Sequence, residues 1–221
     1  MAPCCGGSAF GTCPCGRTTR PRIPPLSRRI KNFAALLAAA VPEHARDKPL
    51  ELWWQDEAKI GQQGTLTYAW ADKGSRPLAP RDCRYNWAYI FGAVCPARGT
   101  GAALVLLYAN KEAMTLHMVE IGQGVMPGAH AVVFTDGAGW HKPGGKLQLP
   151  DNVSTLLLPA YCPELNPQEN VWQFLRQNHL SNRVFATYTA IVDACCAAWQ
   201  ALMEQPERTT SIASREWANW S

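Results

Sequence analysis

One segment constrains the fold more than any other: Ala129-His-Ala-Val-Val-Phe-Thr135, a nearly continuous apolar run that stops at Asp136-Gly137. A strand that leaves one face in water alternates apolar and polar residues, whereas an unbroken run is buried on both faces. This run therefore predicts an inner strand of a mixed sheet. Val153–Leu158, closed by Pro159, predicts a second. Such strands need helices to cover them. Helical spacing predicts these over Lys111–Ile121, about Pro167–Leu180 and Tyr188–Glu204, the last with Ile191, Ala194, Cys195, Ala198 and Leu202 on one stripe.

The part of the chain before this run reads differently. From Leu50, Leu52, Trp54 and Asp56 fall on one strand face and Glu51, Trp53, Gln55 and Glu57 on the other, so Asp56 points the way the apolar face points. Thr65–Ala71, Trp87–Val94 and Ala102–Ala109 read as further strands, the first two separated by Lys73-Gly-Ser-Arg-Pro77 and a basic loop. These make an antiparallel meander. The fold class is α/β: a meander, then parallel strands alternating with helices that flank the sheet.

The N-terminus stands apart. Residues 1–27 carry five prolines and four glycines, which remove amide donors and order together, and Cys4, Cys5, Cys13 and Cys15 crowd its first 15 positions. A CC and a CxC are not the usual zinc knuckle, and nine cysteines at uneven spacing make a poor disulfide framework, so residues 1–30 read as a disordered tail. Arg28-Arg-Ile-Lys31 followed by Phe33–Val41 imitates a signal peptide but begins too late; residues 32–41 read as a short helix ended before Pro42. That nine-residue apolar run is the longest, and a membrane-spanning helix needs about 20. The expectation is a cytoplasmic protein with no membrane partner: tail 1–30, helix and linker 31–47, folded domain 48–221. The charge divides at the same place. The net +4 comes from six basic residues in 1–31, while residues 32–221 hold 15 basic and 17 acidic groups.

Three acids sit at or just beyond the carboxyl ends of predicted strands, where open α/β sheets place reactive groups: Asp56, Asp136 and Glu169. Carboxylates so placed can hold Mg²⁺, a hard ion that takes oxygen ligands, and two such ions about 3.5–4 Å apart can serve a phosphodiester displacement. Each acid also has a plainer use. Asp56 and Asp136 can cap turns, and Glu169, behind Asn166 as N-cap and Pro167, sits where a capping-box glutamate belongs. A core-facing charge at Asp56 is harder to explain this way, because a buried carboxylate without a partner is costly.

Three motifs, in order, are Trp54-Gln-Asp-Glu-Ala-Lys-Ile-Gly61, Phe134-Thr-Asp-Gly-Ala-Gly-Trp-His141 and Pro159-Ala-Tyr-Cys-Pro-Glu-Leu-Asn-Pro-Gln-Glu-Asn-Val-Trp172. Together they resemble the catalytic core of the DDE-type transposases of bacterial insertion sequences in the mariner superfamily, over roughly residues 48–204. The resemblance implies an RNase H-like fold in which Asp56, Asp136 and Glu169 bind two Mg²⁺ or Mn²⁺ ions, Asp56 bridging them. It also implies DNA partners (transposon ends and target) and a homodimer. Thirty-two residues separate Asp136 from Glu169, close to the family spacing. Cys162 replaces a common Ser, and Asn170 a common basic residue. His141 can touch a phosphate, orient a water or pack; Lys59 and Asn166 are further candidates for DNA or water contact. Trp140, Trp172, Trp87 and Trp199 can stack bases or fill the core.

The family's helix-turn-helix end-binding domains need several helices before the first catalytic strand, and only about twenty plausible residues, Arg28–Lys48, precede it. The expected function is thus an N-terminally truncated transposase catalytic domain performing metal-dependent DNA cleavage and strand transfer. Two alternatives remain open: an inactive remnant serving as an interaction module, and an RNase H-like nuclease acting on hybrids or junctions.

Overall fold

The structure, a computed structural model, describes residues 33–63, 71–75, 82, 84–139, 141, 147–159 and 165–214. In chain order these form α1 (Phe33–Ala40), a 3₁₀ turn (Glu43–Ala45), β1 (Leu50–Gly61), β2 (Trp87–Cys95), β3 (Thr100–Leu106) and α2 (Lys111–Gly124). Then follow β4 (His130–Thr135), β5 (Val153–Leu157), α3 (Gln168–Leu175) with a π-helical turn (Arg176–Leu180), α4 (Tyr188–Met203) and α5 (Pro206–Ala213). The strand expected over Thr65–Ala71 and the tail 1–30 lie outside the described residues.

The five strands make one sheet in the order β3-β2-β1-β4-β5. β1–β2 and β2–β3 pair antiparallel, which is the meander, and β4 and β5 add on parallel to β1. Every residue of β4 is buried, as its unbroken apolar run requires. β1 is central too, and alternation misjudges it: Leu50 on the supposed apolar face is exposed, while Trp53 and Gln55 on the other are fully buried. Helices cover both faces of the sheet, so both faces of β1 need burying.

On one face, Ala58 and Ile60 of β1 and Ile90 and Val94 of β2 pack against Val171, Trp172 and Leu175 of α3 and Ile191, Cys195 and Leu202 of α4. On the other, Trp53, Phe91 and Val133 pack against Met114, Met118 and Ile121 of α2. α2 and α4 start on side-chain caps: Asn110 accepts from Ala113 N at 2.8 Å and Thr187 from Ala190 N at 3.1 Å. Near the start of β1, buried Glu51 accepts from Trp53 Nε1 (2.9 Å), Met126 N (3.1 Å) and Arg98 (3.0 Å), and Arg98 also donates to the Gly124 carbonyl (2.8 Å). That cluster ties the end of α2 to the sheet.

α5 went unpredicted, since Pro206-Glu-Arg-Thr-Thr-Ser-Ile-Ala213 has no long apolar stripe and two β-branched threonines. Its start is nonetheless orthodox, with Pro206 in the first turn, where a missing amide costs nothing.

Gly92 is where the sheet meets α3. It pairs with Asp56 across the β1–β2 ladder, and a Cβ there would lie 2.5 Å from Trp172 Cη2 and 2.8 Å from Gln168 Nε2. Only a glycine leaves room here for the Trp172 ring that donates to Asp56. Gly92→Ala should therefore destabilise the fold by roughly 1–3 kcal/mol through overpacking, read from urea unfolding; an unchanged midpoint would show that the ring does not need this space.

Candidate active site

The parallel pairing of β1 with β4 runs in register from Leu50↔His130 to Trp54↔Phe134. Asp56 and Asp136 each stand two residues past that last pair, so two neighbouring strands deliver one carboxylate each at the same edge of the sheet. Trp54 and Phe134 stack with centroids 5.1 Å apart and rings 19° from parallel, holding the register just behind the acids. Asp136 follows the last residue of β4 and its carboxylate Oδ1 accepts from Ala138 N at 2.8 Å, so it caps a turn as well.

Asp56 is largely buried, and its Oδ2 accepts from Trp172 Nε1 at 2.9 Å. Burial pushes its pKa up to about 7, and the charges of Glu169 and Glu57 push the same way. Glu169, exposed in the first turn of α3, is thus close enough to act electrostatically on Asp56. The three acids stand on β1, just past β4 and in the first turn of α3; Asp56 lies within β1, five residues before its end, and not at the carboxyl end that the sequence reading expects. Among the described residues no group of three or more His, Cys, Asp or Glu side chains already stands at metal-holding geometry.

His141 is fully buried and lies between two carboxylates. Nδ1 donates to Asp136 Oδ1 at 2.5 Å and Nε2 to Glu57 Oε1 at 2.7 Å. With a carboxylate at each nitrogen, the surroundings favour the doubly protonated ring. Burial alone would lower its pKa, but the hydrogen bond and charge of Glu57 with the charge of Asp136 outweigh it and raise the value. Glu57 also accepts from Gln55 Nε2 at 2.8 Å. Glu57 does lie on the strand face opposite Asp56, as alternation predicts, yet it is wired to Asp136 through His141. Nearby His117 is the converse case: burial, then the charge of His141, lower it to about 3, and it stays neutral.

Asn166 is buried and its amide is committed on both sides, donating to the Gln55 carbonyl (3.1 Å) and accepting from Gln168 N (3.1 Å). It caps α3, as expected, and ties the helix carrying Glu169 to the strand carrying Asp56. Lys59 stands further along β1, exposed, its Nζ 3.6 Å from the Trp87 ring centroid. Two residues of the cluster escaped sequence reasoning. Trp172 had a signal, being three positions after Glu169 and so beside it on the helix surface. Glu57 had none, because its link runs through a loop histidine 84 residues away.

Asp56 gives a stability prediction. Its folded-state pKa is raised above the unfolded value of 3.8, so the folded chain holds the proton more tightly and the stabilisation present below about pH 4 is lost as pH rises to 7. The loss is at most about 4 kcal/mol. In chelator, Asp56→Asn should be more stable than the wild type at pH 8, and the gap should narrow by pH 5 and close near pH 4, read from denaturant midpoints; a wild type whose stability does not fall between pH 5 and pH 8 would contradict the assigned environment.

The family profile of the DDE superfamily endonucleases matches residues 51–192. A protein of Sinorhizobium fredii (strain NBRC 101917 / NGR234), uncharacterized protein y4pE/y4sA, is 58% identical over 135 residues, 61% of this chain and 99% of that one. Among solved structures, a Mos1 transposase paired-end complex with left transposon end superposes with TM-score 0.52 at 13% identity, over 87% of this chain and 63% of that one. A Mos1 mariner paired-end complex with Mg gives TM-score 0.51 at 12% identity, over 97% and 68%. The chain spans about two thirds of the length of these transposases. At such identities the likeness shows the fold, a mixed five-stranded sheet with flanking helices of the RNase H-like kind. The profile match covers well over half the sequence and contains Asp56, Asp136 and Glu169, and the chain belongs to the DDE superfamily endonucleases.

Proposed function

We propose that this chain is a DNA transposase catalytic domain that cleaves DNA strands and joins the freed 3′-hydroxyl to target DNA, with Asp56, Asp136 and Glu169 as its metal-binding acids. The observation that carries the reading is the β1–β4 register, which sets Asp56 and Asp136 at one sheet edge where the charge of Glu169 is felt. The donor set suits Mg²⁺ or Mn²⁺: all three are oxygen donors, and the burial of Asp56, followed by the charges of Glu169 and Glu57, raises its pKa in the sense that a bound cation would relieve. When bound, two such ions would supply Lewis-acid stabilisation of the attacking and leaving oxygens in an in-line phosphodiester displacement.

The protein's own residues would fix the acids and set their charge. Trp172 holds Asp56 Oδ2, and His141 with the Ala138 amide holds Asp136 Oδ1, so the protein orients both carboxylates. The His141 ring bridges Asp136 and Glu57 and so fixes where the Asp136 carboxylate points. Asn166 sets the direction of α3 and thereby where Glu169 projects. The transposon end in the Mos1 paired-end complex supports DNA as the partner; target DNA and a homodimer belong to the same proposal. Among the described residues no helix is long and apolar enough to cross a membrane; the cytoplasmic, nucleoid-associated location belongs to the proposal through the DNA-processing family.

Supercoiled plasmid incubated with the protein and Mn²⁺ or Mg²⁺ should be nicked, chelator should stop the reaction, and Asp136→Asn should abolish it; cleavage that survives chelator or that substitution would overturn the proposal. His141→Ala, which removes a partner of a ligand rather than a ligand, should lower activity by about 10–100-fold and raise the Mg²⁺ concentration needed for half-maximal rate. An activity loss with unchanged metal dependence would place His141 elsewhere in the mechanism.

A further inference from the structure

The helix that carries Glu169 opens one residue earlier on Gln168, and the two neighbours have opposite surroundings. Glu169 is exposed, whereas Gln168 is fully buried and out of reach of DNA. Its main chain is fastened, the amide N donating to Asn166 Oδ1 at 3.1 Å. Its side chain is not. Among the described residues neither Oε1 nor Nε2 of Gln168 has a hydrogen-bond partner. Buried polar side chains are bonded in the large majority of cases, and an unmet amide is costly. A methionine would fill the same space without that cost, so packing alone does not account for a glutamine here.

What the amide faces follows from the β1–β2 ladder. Gln168 Nε2 lies 2.8 Å from where a Cβ of Gly92 would stand, and Gly92 is the ladder partner of Asp56. Directly opposed residues of an antiparallel pair hold their Cβ positions about 4.5–5.5 Å apart on one face, which puts the Gln168 amide next to the Asp56 side chain. One helical turn on, Trp172 packs against the same glycine and donates Nε1 to Asp56 Oδ2 at 2.9 Å. Residues four apart on a helix lie one above the other, so Gln168 and Trp172 stand side by side over Asp56. One of these two donors is bonded to the carboxylate and the other is held beside it.

We infer that Gln168 is a positioning residue for Asp56: with the carboxylate ionised and holding a divalent cation, the Gln168 amide donates to it and, together with Trp172, fixes its direction. A carboxylate has about four acceptor sites on its two oxygens, and the Trp172 N–H uses one, so a second donor leaves room for a cation. A neutral donor suits the place. It orients the acid without the positive charge by which a Lys or Arg would repel the ion, and hydrogen bonds to ligating carboxylates are what aim them. The inference rests on the metal-site reading above and adds to it a residue that touches neither metal nor DNA.

Gln168→Met keeps the bulk and removes the amide. In calorimetric Mg²⁺ titration of the full chain at pH 8 it should bind the ion about tenfold more weakly than the wild type. Its urea midpoint in chelator should stay at or above the wild-type value, because two unmet polar atoms leave the core. In plasmid nicking kcat should fall with KM for the plasmid unchanged, and excess Mg²⁺ should restore the rate. Val171→Ala, which trims a buried apolar side chain of the same helix, is the packing control: it should lower the midpoint and leave Mg²⁺ affinity as it is. Wild-type Mg²⁺ affinity in Gln168→Met, a raised plasmid KM at unchanged kcat, or an equal affinity loss in Val171→Ala would overturn the inference and leave the metal-site reading standing. A wild type that binds no Mg²⁺ would overturn both.

Discussion

Everything proposed for this chain depends on one pairing, the parallel ladder between β1 and β4. A parallel ladder is the arrangement that puts the carboxyl ends of two strands at the same edge, and its register sets which residues emerge there. With Trp54 opposite Phe134, Asp56 and Asp136 emerge together. Side chains alternate along a strand, so a slip of one residue would turn Asp136 to the opposite face and separate the acids. The stacked Trp54–Phe134 pair and the burial of every β4 residue resist that slip. The apolar core therefore does chemical as well as structural service, by fixing the register.

The same edge gathers negative charge that the fold offsets only in part. Asp136 and Glu57 share the His141 ring, while Asp56 has a neutral N–H from Trp172 and feels Glu57 and Glu169 as like charges. The result is an acid with a pKa near 7 between a compensated pair and an exposed glutamate. Strong perturbation by burial and specific neighbours is characteristic of functional sites, and here it has the sign that a cation would relieve. Gly92 contributes from below: by lacking a side chain it admits the Trp172 ring that reaches Asp56.

The unbroken apolar run Ala129–Thr135 was enough to place an inner strand, and the change from alternation to continuous runs was enough to separate meander from parallel strands. The three acids stand out in the sequence through their motifs; in the fold Asp136 follows β4, whereas Asp56 lies within β1 and Glu169 in the first turn of α3. What escaped has physical reasons. The burial of Trp53 and Gln55 depends on α2 covering the second face of β1, which alternation within a single strand cannot report. The Glu57–His141–Asp136 bridge joins residues by way of a loop, where no period applies. α5 lacks an apolar stripe and is held by contacts such as the Thr210 hydroxyl to the Pro96 carbonyl at 2.8 Å, which only the tertiary structure creates.

The central claim is that the carboxylates of Asp56, Asp136 and Glu169 form one divalent-cation site. Mn²⁺ binding followed by the loss of its free-ion paramagnetic resonance signal measures this without substrate or turnover. The account predicts saturable binding of two ions by the wild type, with markedly weakened binding in Asp56→Asn and Asp136→Asn proteins that remain folded. Binding of the same stoichiometry and affinity in those variants, or none in the wild type, would contradict it.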